Sequence, residues 1–416
     1  MSARRGLAAM AAAVFAMVAG HPEAAAALAF TAGAGHGGQH HAPADSGHRS
    51  RHHAPTGLLG QASGSDATQG GAQLASHGTI VNYPLASHVP KLPRVRASAF
   101  VIADARTGQV LAARDPHGWY RPASTLKVLT AISLIPALNP DATTVASHEA
   151  HTTEPNDVGL KTGQRYKISG LFRAMLTISA NDAAVALAQS TGSLHQGVAL
   201  MNAEARKLQA RDTVARDPNG LDAPGQRTSA YDEALIARRA LALPAFLKYD
   251  QTRSALFALK PRHRVGLVNQ NLLLSRYRGD IGGKIGWTEA AGATYVGMAR
   301  RHHQTLIVTL LHCPPQTEFT YATRLLNWGF AVDGRIGPAG TLVSPLAPGA
   351  KGAAPAPQPP HATKNPPARR QPVASGNLKV DPGAVAVGFL ALAGILFTGF
   401  VLYSRRSIAR SRRRRA

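Results

Sequence analysis

The stretch Arg121-Pro122-Ala123-Ser124-Thr125-Leu126-Lys127-Val128-Leu129-Thr130-Ala131 decides how this chain is read. The residue before a proline is pushed out of helical angles, so Tyr120-Arg121-Pro122 ends an extended segment. The run that follows, Leu126, Val128, Leu129, Ile132, Leu134 and Ile135, is too apolar all round for a surface helix and predicts one buried on most sides. Ser124 and Lys127 are the polar pair on its first turn. Three apart on a helix, they share a face and can touch. A buried lysine loses its proton more readily, and the positive end of the helix dipole acts in the same direction. A neutral amine there can take the serine proton and leave an activated nucleophile. The plainer reading makes Ser124 an N-terminal cap and lets Lys127 reach for solvent. No other Ser-x-x-Lys occurs in the 416 residues.

Working outward, composition shifts near both ends. Residues 1–29 have the form of a secretory signal: Arg4 and Arg5, an apolar middle over 6–20, then small residues over 24–29. Residues 30–92 are rich in Ala, Gly, Ser and His, with too little apolar bulk to offset ordering entropy, and are expected to be disordered. His36, His48 and the pairs His40-His41 and His52-His53 fit no fixed ligand spacing, so no functional metal or cofactor is expected. Residues 337–381 read as a Pro/Ala linker. The 21 residues 383–403 carry no charge, about the length a bilayer core needs.

The formal net charge is +24, which raises nucleic acid as a partner. Seven arginines lie after residue 404, directly behind the apolar segment, and a topology signal accounts for them better. The expectation is a single-pass membrane protein in the lipid bilayer, with an extracytoplasmic folded region and a cytoplasmic tail over 404–416. Nucleic acid is not expected. The lone cysteine, Cys313, allows no intrachain disulfide and reads as core filler.

Between the flanks, a folded domain is expected over 93–336. A β-rich 97–103, a turn over 104–108 and a returning 109–113 form a hairpin that delivers the chain to Ser124. Helical patterns follow at 169–177, 182–190, 194–208 and 231–241. Strands come next at 282–284, 293–299 and 305–312, and a last helix at 321–330. That order argues α+β layers in which the terminal elements share one sheet.

A serine nucleophile also needs a proton relay, a cation if the substrate is an anion, and amides for the oxyanion. Ser179-Ala180-Asn181, between an apolar segment and a helix, can aim two polar side chains into one cleft, or merely cap that helix. Lys284-Ile285-Gly286-Trp287-Thr288 ends a glycine-flanked strand. Ser-x-x-Lys, Ser-x-Asn and Lys-Thr-Gly boxes in this order are the signature of penicillin-binding proteins and class A β-lactamases. The chain resembles a D-alanyl-D-alanine carboxypeptidase of the low-molecular-mass penicillin-binding class over about 94–333. The resemblance extends to Gly159-Leu160-Lys161-Thr162-Gly163-Gln164-Arg165-Tyr166, Asn219-Gly220-Leu221 and 269–274. Lys161-Thr162-Gly163 spells the third box but precedes the second, and Ser375-Gly376-Asn377 spells the second but lies in the linker. Both are rejected.

The resemblance implies an antiparallel sheet with helices on both faces and an inserted helical cluster. It makes Ser124 the nucleophile and Lys127 its base, with Ser179 and Asn181 in proton relay and orientation. Lys284 would bind the substrate's terminal carboxylate, with Gly286, Trp287 and Thr288 beside it. The amides of Ser124 and Trp287 would hold the oxyanion. The substrate would be the peptidoglycan stem peptide, and β-lactams would acylate Ser124. Ile285 departs from the family's usual Thr, and Thr288 is a candidate to replace the missing hydroxyl. Two alternatives stand beside this reading: a catalytically weak wall-binding paralogue, and a β-lactamase, which lacks its Glu-x-x-Leu-Asn string here.

Overall fold

A computed structural model describes residues 58–60, 68–85, 88–153, 155–332 and 334–347. The chain opens with β1 (Leu58–Gly60), β2 (Thr79–Ile80), β3 (Ala99–Asp104), β4 (Gln109–Arg114) and β5 (Trp119–Tyr120). After a 3-10 turn, Ala123–Thr125, come α1 (Leu126–Leu134), β6 (Thr143–Val145), α2 (His148–Thr152) and β7 (Arg165–Lys167). A run of helices follows: α3 (Ile168–Thr177), α4 (Asn181–Gln189), α5 (Leu194–Lys207), α6 (Ala230–Leu241) and α7 (Pro244–Asp250). The chain then forms a hairpin of β8 (Ser254–Lys260) and β9 (His263–Val268), and a short α8 (Leu273–Arg276). It ends with β10 (Asp280–Thr288), β11 (Gly292–Arg301), β12 (Gln304–Cys313), α9 (Glu318–Ala331) and β13 (Gly340–Thr341).

The main sheet runs β10-β11-β12-β3-β4-β13, with β2 also on β4, and all its pairs are antiparallel. Alternation along β3 decides the layering. Val101 and Ala103 face a core shared with Leu129 and Ile132 of α1, while Phe100 and Ile102 face Leu325 and Leu326 of α9. The sheet is thus covered on both faces, and every residue of β3 is buried. The β3–β4 turn is fixed by Asp104, whose Oδ1 accepts from Thr107 N (2.7 Å) and Thr107 Oγ1 (2.9 Å). Between β5 and β8 lies the helical cluster. Ser193 and Ser229 cap α5 and α6 through bonds from the amides of Gln196 and Asp232. Cys313 ends β12 in the core, where burial pushes its thiol up to about 12.

Order begins before residue 93, against the expectation of disorder over 30–92. Leu74 is buried in the core, worth roughly 1.5–3 kcal/mol for a leucine side chain. β2 pairs with β4, and His77 Nδ1 lies 2.5 Å from Asp115 Oδ1. The fold also runs past 336: β13 pairs with β4, and Leu342 is buried. The β8–β9 hairpin was not expected either. Phe257 and Leu267 face the core, while Leu256 and Val268 point outward. The expected signal (1–29), the histidine-rich segment up to residue 57, the linker from 348 on, the apolar segment 383–403, the arginine tail 404–416 and Ser375-Gly376-Asn377 lie outside the described residues. Among the described residues no helix is long and apolar enough to cross a membrane.

Candidate active site

Ser124 sits in the 3-10 turn that leads into α1, not in the α-helix itself. The turn is strained and clamped. Ala123 has φ +49, in the left-handed region, and Pro122 O accepts from both Thr125 Oγ1 (2.7 Å) and Thr294 Oγ1 (2.9 Å). Two glycines let neighbouring backbone close on it. A Cβ on Gly220 would lie 1.7 Å from Ala123 O, and one on Gly286 would lie 2.6 Å from Ser124 N. Any side chain at either position would push the nucleophile out of place.

Lys127 is completely buried. Its Nζ donates to Asn181 Oδ1 (2.7 Å) and to Asn219 O (2.7 Å), and lies 2.9 Å from Ser124 Oγ. Burial is the main reason its pKa falls well below the usual lysine value, with the charge on Lys284 adding to the shift and Asp217 opposing it. The hydrogen bonds then assign themselves. A neutral amine has two N–H donors and one lone pair. Two carbonyl-type oxygens that can only accept take the donors, so the lone pair is left for the Ser124 hydroxyl.

Asn181 is the first residue of α4, and neither it nor Ser179 caps that helix. Asp182 anchors the turn instead, accepting from the amides of Val158, Gly159, Leu160 and Ala183. This explains why a glycine-rich segment precedes the second box: its backbone is the ligand of Asp182. Ser179 has φ +63, and its buried Oγ makes no hydrogen bond to any described residue. A strained, unspent hydroxyl two residues from Asn181 is one that a substrate can engage.

Lys284 is buried on β10, with Nζ donating to Ile285 O at 2.8 Å. Burial lowers its pKa to about 7, and Asp250 opposes that shift. Asp250 accepts from Gly283 N (2.8 Å), and a Cβ on Gly282 would collide with its Oδ2 at 2.2 Å. Burial raises Asp250 to about 8 and the nearby Asp280 to about 7. Asn271 joins this layer, donating to Asp280 Oδ1 (3.2 Å) and accepting from Tyr295 OH (3.1 Å). Glu233, buried and raised by desolvation to about 7, lies 3.1 Å from Thr125 Oγ1 beneath the nucleophile turn.

The rest of the third box divides. Gly286 abuts Ser124, as described. Trp287 pairs through its backbone with Ala293, and the residue is 60% exposed. Ile285 packs toward the α9 side of the sheet. Thr288 is already engaged: its Oγ1 donates to Asp222 Oδ1 (3.1 Å) and accepts from Ala291 N (3.0 Å), so it offers no replacement for the missing Ile285 hydroxyl. Asp222 also pairs with Arg121 Nη1 at 3.5 Å, tying the 217–222 loop to both flanks of the site. The out-of-order Lys161-Thr162-Gly163 is an exposed turn. No role was expected for Asn219, Asp222, Asp250 or Asp182. Asn219 acts through a backbone oxygen, which no residue type announces.

Comparison with known proteins follows the same outline. The model of the D-alanyl-D-alanine carboxypeptidase family Peptidase_S11 matches residues 86–314. The chain is 39% identical over 254 residues to D-alanyl-D-alanine carboxypeptidase DacB2 of Mycobacterium tuberculosis, covering 60% of this chain and 87% of that one. It is 33% identical to DacD of Salmonella typhimurium over 58% of this chain, spanning 65% of that protein's length. Among solved structures, it is similar to a D-alanyl-D-alanine carboxypeptidase of Mycobacterium tuberculosis, with TM-score 0.59 and 36% identity over 64% of this chain and all of that one. Penicillin binding protein 6B of Escherichia coli gives TM-score 0.55 and 30% identity over 60% of this chain and 81% of that one.

Proposed function

The chain belongs to the D-alanyl-D-alanine carboxypeptidase family, and from that premise we propose how its residues divide the reaction. It is a serine-type carboxypeptidase that removes the terminal D-alanine of peptidoglycan stem peptides and is acylated by β-lactams. Lys127 takes the Ser124 proton as Oγ attacks the D-Ala-D-Ala carbonyl. The amides of Ser124 and Trp287 receive the oxyanion, and Gly286, lying against Ser124, brings β10 and its Trp287 amide close to the nucleophile. The proton passes by Lys127 and the Ser179 hydroxyl to the leaving D-alanine amine. Lys284 holds the substrate carboxylate in its charged form, and Asn181 keeps Lys127 oriented. Water then hydrolyses the acyl-enzyme with Lys127 again as base. The observation that carries this reading is the Lys127 amine, whose two acceptor-only neighbours leave its lone pair to Ser124. Mass spectrometry after incubation with penicillin tests it: the adduct should map to the peptide containing Ser124, and D-alanine should be released from a D-Ala-D-Ala peptide. An adduct elsewhere overturns it.

We also propose that residues 383–403 anchor the protein in a membrane, with residues 404–416 cytoplasmic. The support is the uncharged length and the arginines behind it. Protease added to intact cells should cut within 348–381 and release an active soluble fragment while the tail stays protected. Tail cleavage from outside reverses the orientation.

A further inference from the structure

At the end of the sheet away from Ser124 the surface folds into a pocket of about 510 Å³, a size that suits a small ligand. Along β11 it lies seven residues from Ala293, the partner of Trp287, or about 24 Å at strand rise. Four arginines line it, Arg106, Arg238, Arg239 and Arg300, and no lining residue is acidic. Its floor is apolar, with Leu208 and Leu241. Residues 343–345 close one side.

The four guanidinium groups are not equivalent. Arg238 is a structural clamp: Nε donates to Ala105 O (2.9 Å), Nη1 to Leu342 O (3.1 Å) and Nη2 to Arg106 O (3.2 Å). Its neighbour Gly108 leaves it room, since a Cβ there would lie 3.0 Å from Nη1. Those bonds fix a positive charge in the pocket lining without neutralising it. Among the described residues, Arg239 meets the only carboxylate bonded to any of the four, Glu204 Oε1, at 3.2 Å. Arg300 donates to Thr305 Oγ1 (3.1 Å), and neither Arg106 nor Arg300 forms an ion pair with a described acid. Both are exposed at the rim. Proteins ordinarily intersperse opposite charges on a surface. Here like charges converge on a fixed cation above an apolar floor.

We propose that this pocket binds an amphiphilic phosphate, with the phosphate between Arg106, Arg238 and Arg300 and an apolar chain along Leu208 and Leu241. A tetrahedral anion with several acceptor oxygens suits convergent guanidinium forks better than a single carboxylate does. The floor supplies what inorganic phosphate cannot use. Nothing in this reading depends on the Ser124 chemistry, and the two can fail separately.

Calorimetry on the purified full-length protein tests it with three probes: monomeric dihexanoyl phosphatidic acid, inorganic phosphate, and dihexanoyl phosphatidylcholine. The phosphatidic acid should bind one to one, at least about tenfold tighter than either of the others. The double variant Arg106→Ala/Arg300→Ala leaves the Arg238 clamp in place. It should weaken that binding at least about tenfold while D-alanine release and Tm stay unchanged. Vesicles of phosphatidylcholine with and without phosphatidic acid then assign the source. A loss of vesicle affinity in the double variant points to a bilayer lipid, and no loss points to a free amphiphile. Inorganic phosphate binding as tightly as the lipid, or a double variant that binds as well as wild type, overturns the proposal. So does an absence of binding.

Discussion

Lys127 and Lys284 are the same side chain, both buried and near enough for the charge of one to shift the other, yet their surroundings differ. Around Lys127 the bonded neighbours are neutral: a hydroxyl, a side-chain amide oxygen and a backbone oxygen. Beneath Lys284 lies a layer of buried acid, Asp250 and Asp280, braced by Asn271 and Tyr295. Burial alone would neutralise both amines. Asp250 in that layer opposes the burial shift at Lys284, whereas at Lys127 the charge on Lys284 deepens it, so the two amines lose their protons in different pH ranges. Carboxylate recognition needs a charged amine and proton abstraction a neutral one at the same pH.

The largest effect comes from removing the nucleophile that Lys127 serves. Ser124→Ala should lower acylation by roughly 10⁴-fold or more and leave Tm near wild type, read by penicillin labelling and thermal unfolding. Surviving labelling would break the pairing of Lys127 with Ser124. Next comes Lys127→Arg, which puts a permanent cation there and offers no lone pair. Acylation should fall roughly 10²–10⁴-fold. If arginine sustains the rate, charge rather than basicity is what that position supplies.

Two smaller effects sharpen the Lys284 side. Ile285→Thr should raise kcat/KM on a D-Ala-D-Ala peptide up to about tenfold, since one charge-assisted hydrogen bond is regained. Methylating the substrate carboxylate should erase the gain. With Thr288 occupied by Asp222 and Ala291, a variant no faster than wild type means that Lys284 alone suffices for the carboxylate. The last concerns pH. Substrate capture needs neutral Lys127 and charged Lys284, so kcat/KM should fall on the acid side through the depressed Lys127 titration. It should fall on the alkaline side above about 7, where Lys284 loses its proton. Asp250 raises the Lys284 pKa, so Asp250→Asn should move the alkaline limb to lower pH. At a fixed pH on that limb KM should rise severalfold, bounded by about tenfold for each pKa unit lost. An unmoved limb would show that the acid layer only packs.

Much of this was legible in the sequence because the informative residues are local. The apolar run after Ser124 and the alternation in β3, β11 and β12 gave the elements to within a few residues. The first two boxes named side chains that the fold brings into contact, Ser124, Lys127 and Asn181. What escaped depends on distant partners. Residues 68–85 look too poor in apolar bulk to fold, yet Leu74 fits a site built by other parts of the chain, and β2 finds its strand in β4. Composition counts what a segment brings, not what awaits it. Asn219 was visible as part of a family-like stretch, but a backbone oxygen aimed at Lys127 has no residue signature. Asp250 and Lys284 are 34 residues apart, and only the pairing of β10 over α7 makes them neighbours.

The sheet's strand order also has a mechanical consequence. β13, the last strand before the chain continues beyond residue 347, joins the sheet at the edge opposite β10 and pairs with β4 at only two positions. Tension on the chain past 347 therefore enters at β13. Its first resistance is a handful of bonds: Leu346 N to Lys207 O, Tyr231 OH to Thr341 O, and Arg238 to Leu342 O. These can peel one after another while the strands from β4 to β10 remain zipped. A pulled molecule would lengthen like a line paying out from a spool, and the turn that carries Ser124, clamped at the far edge, would stay slack.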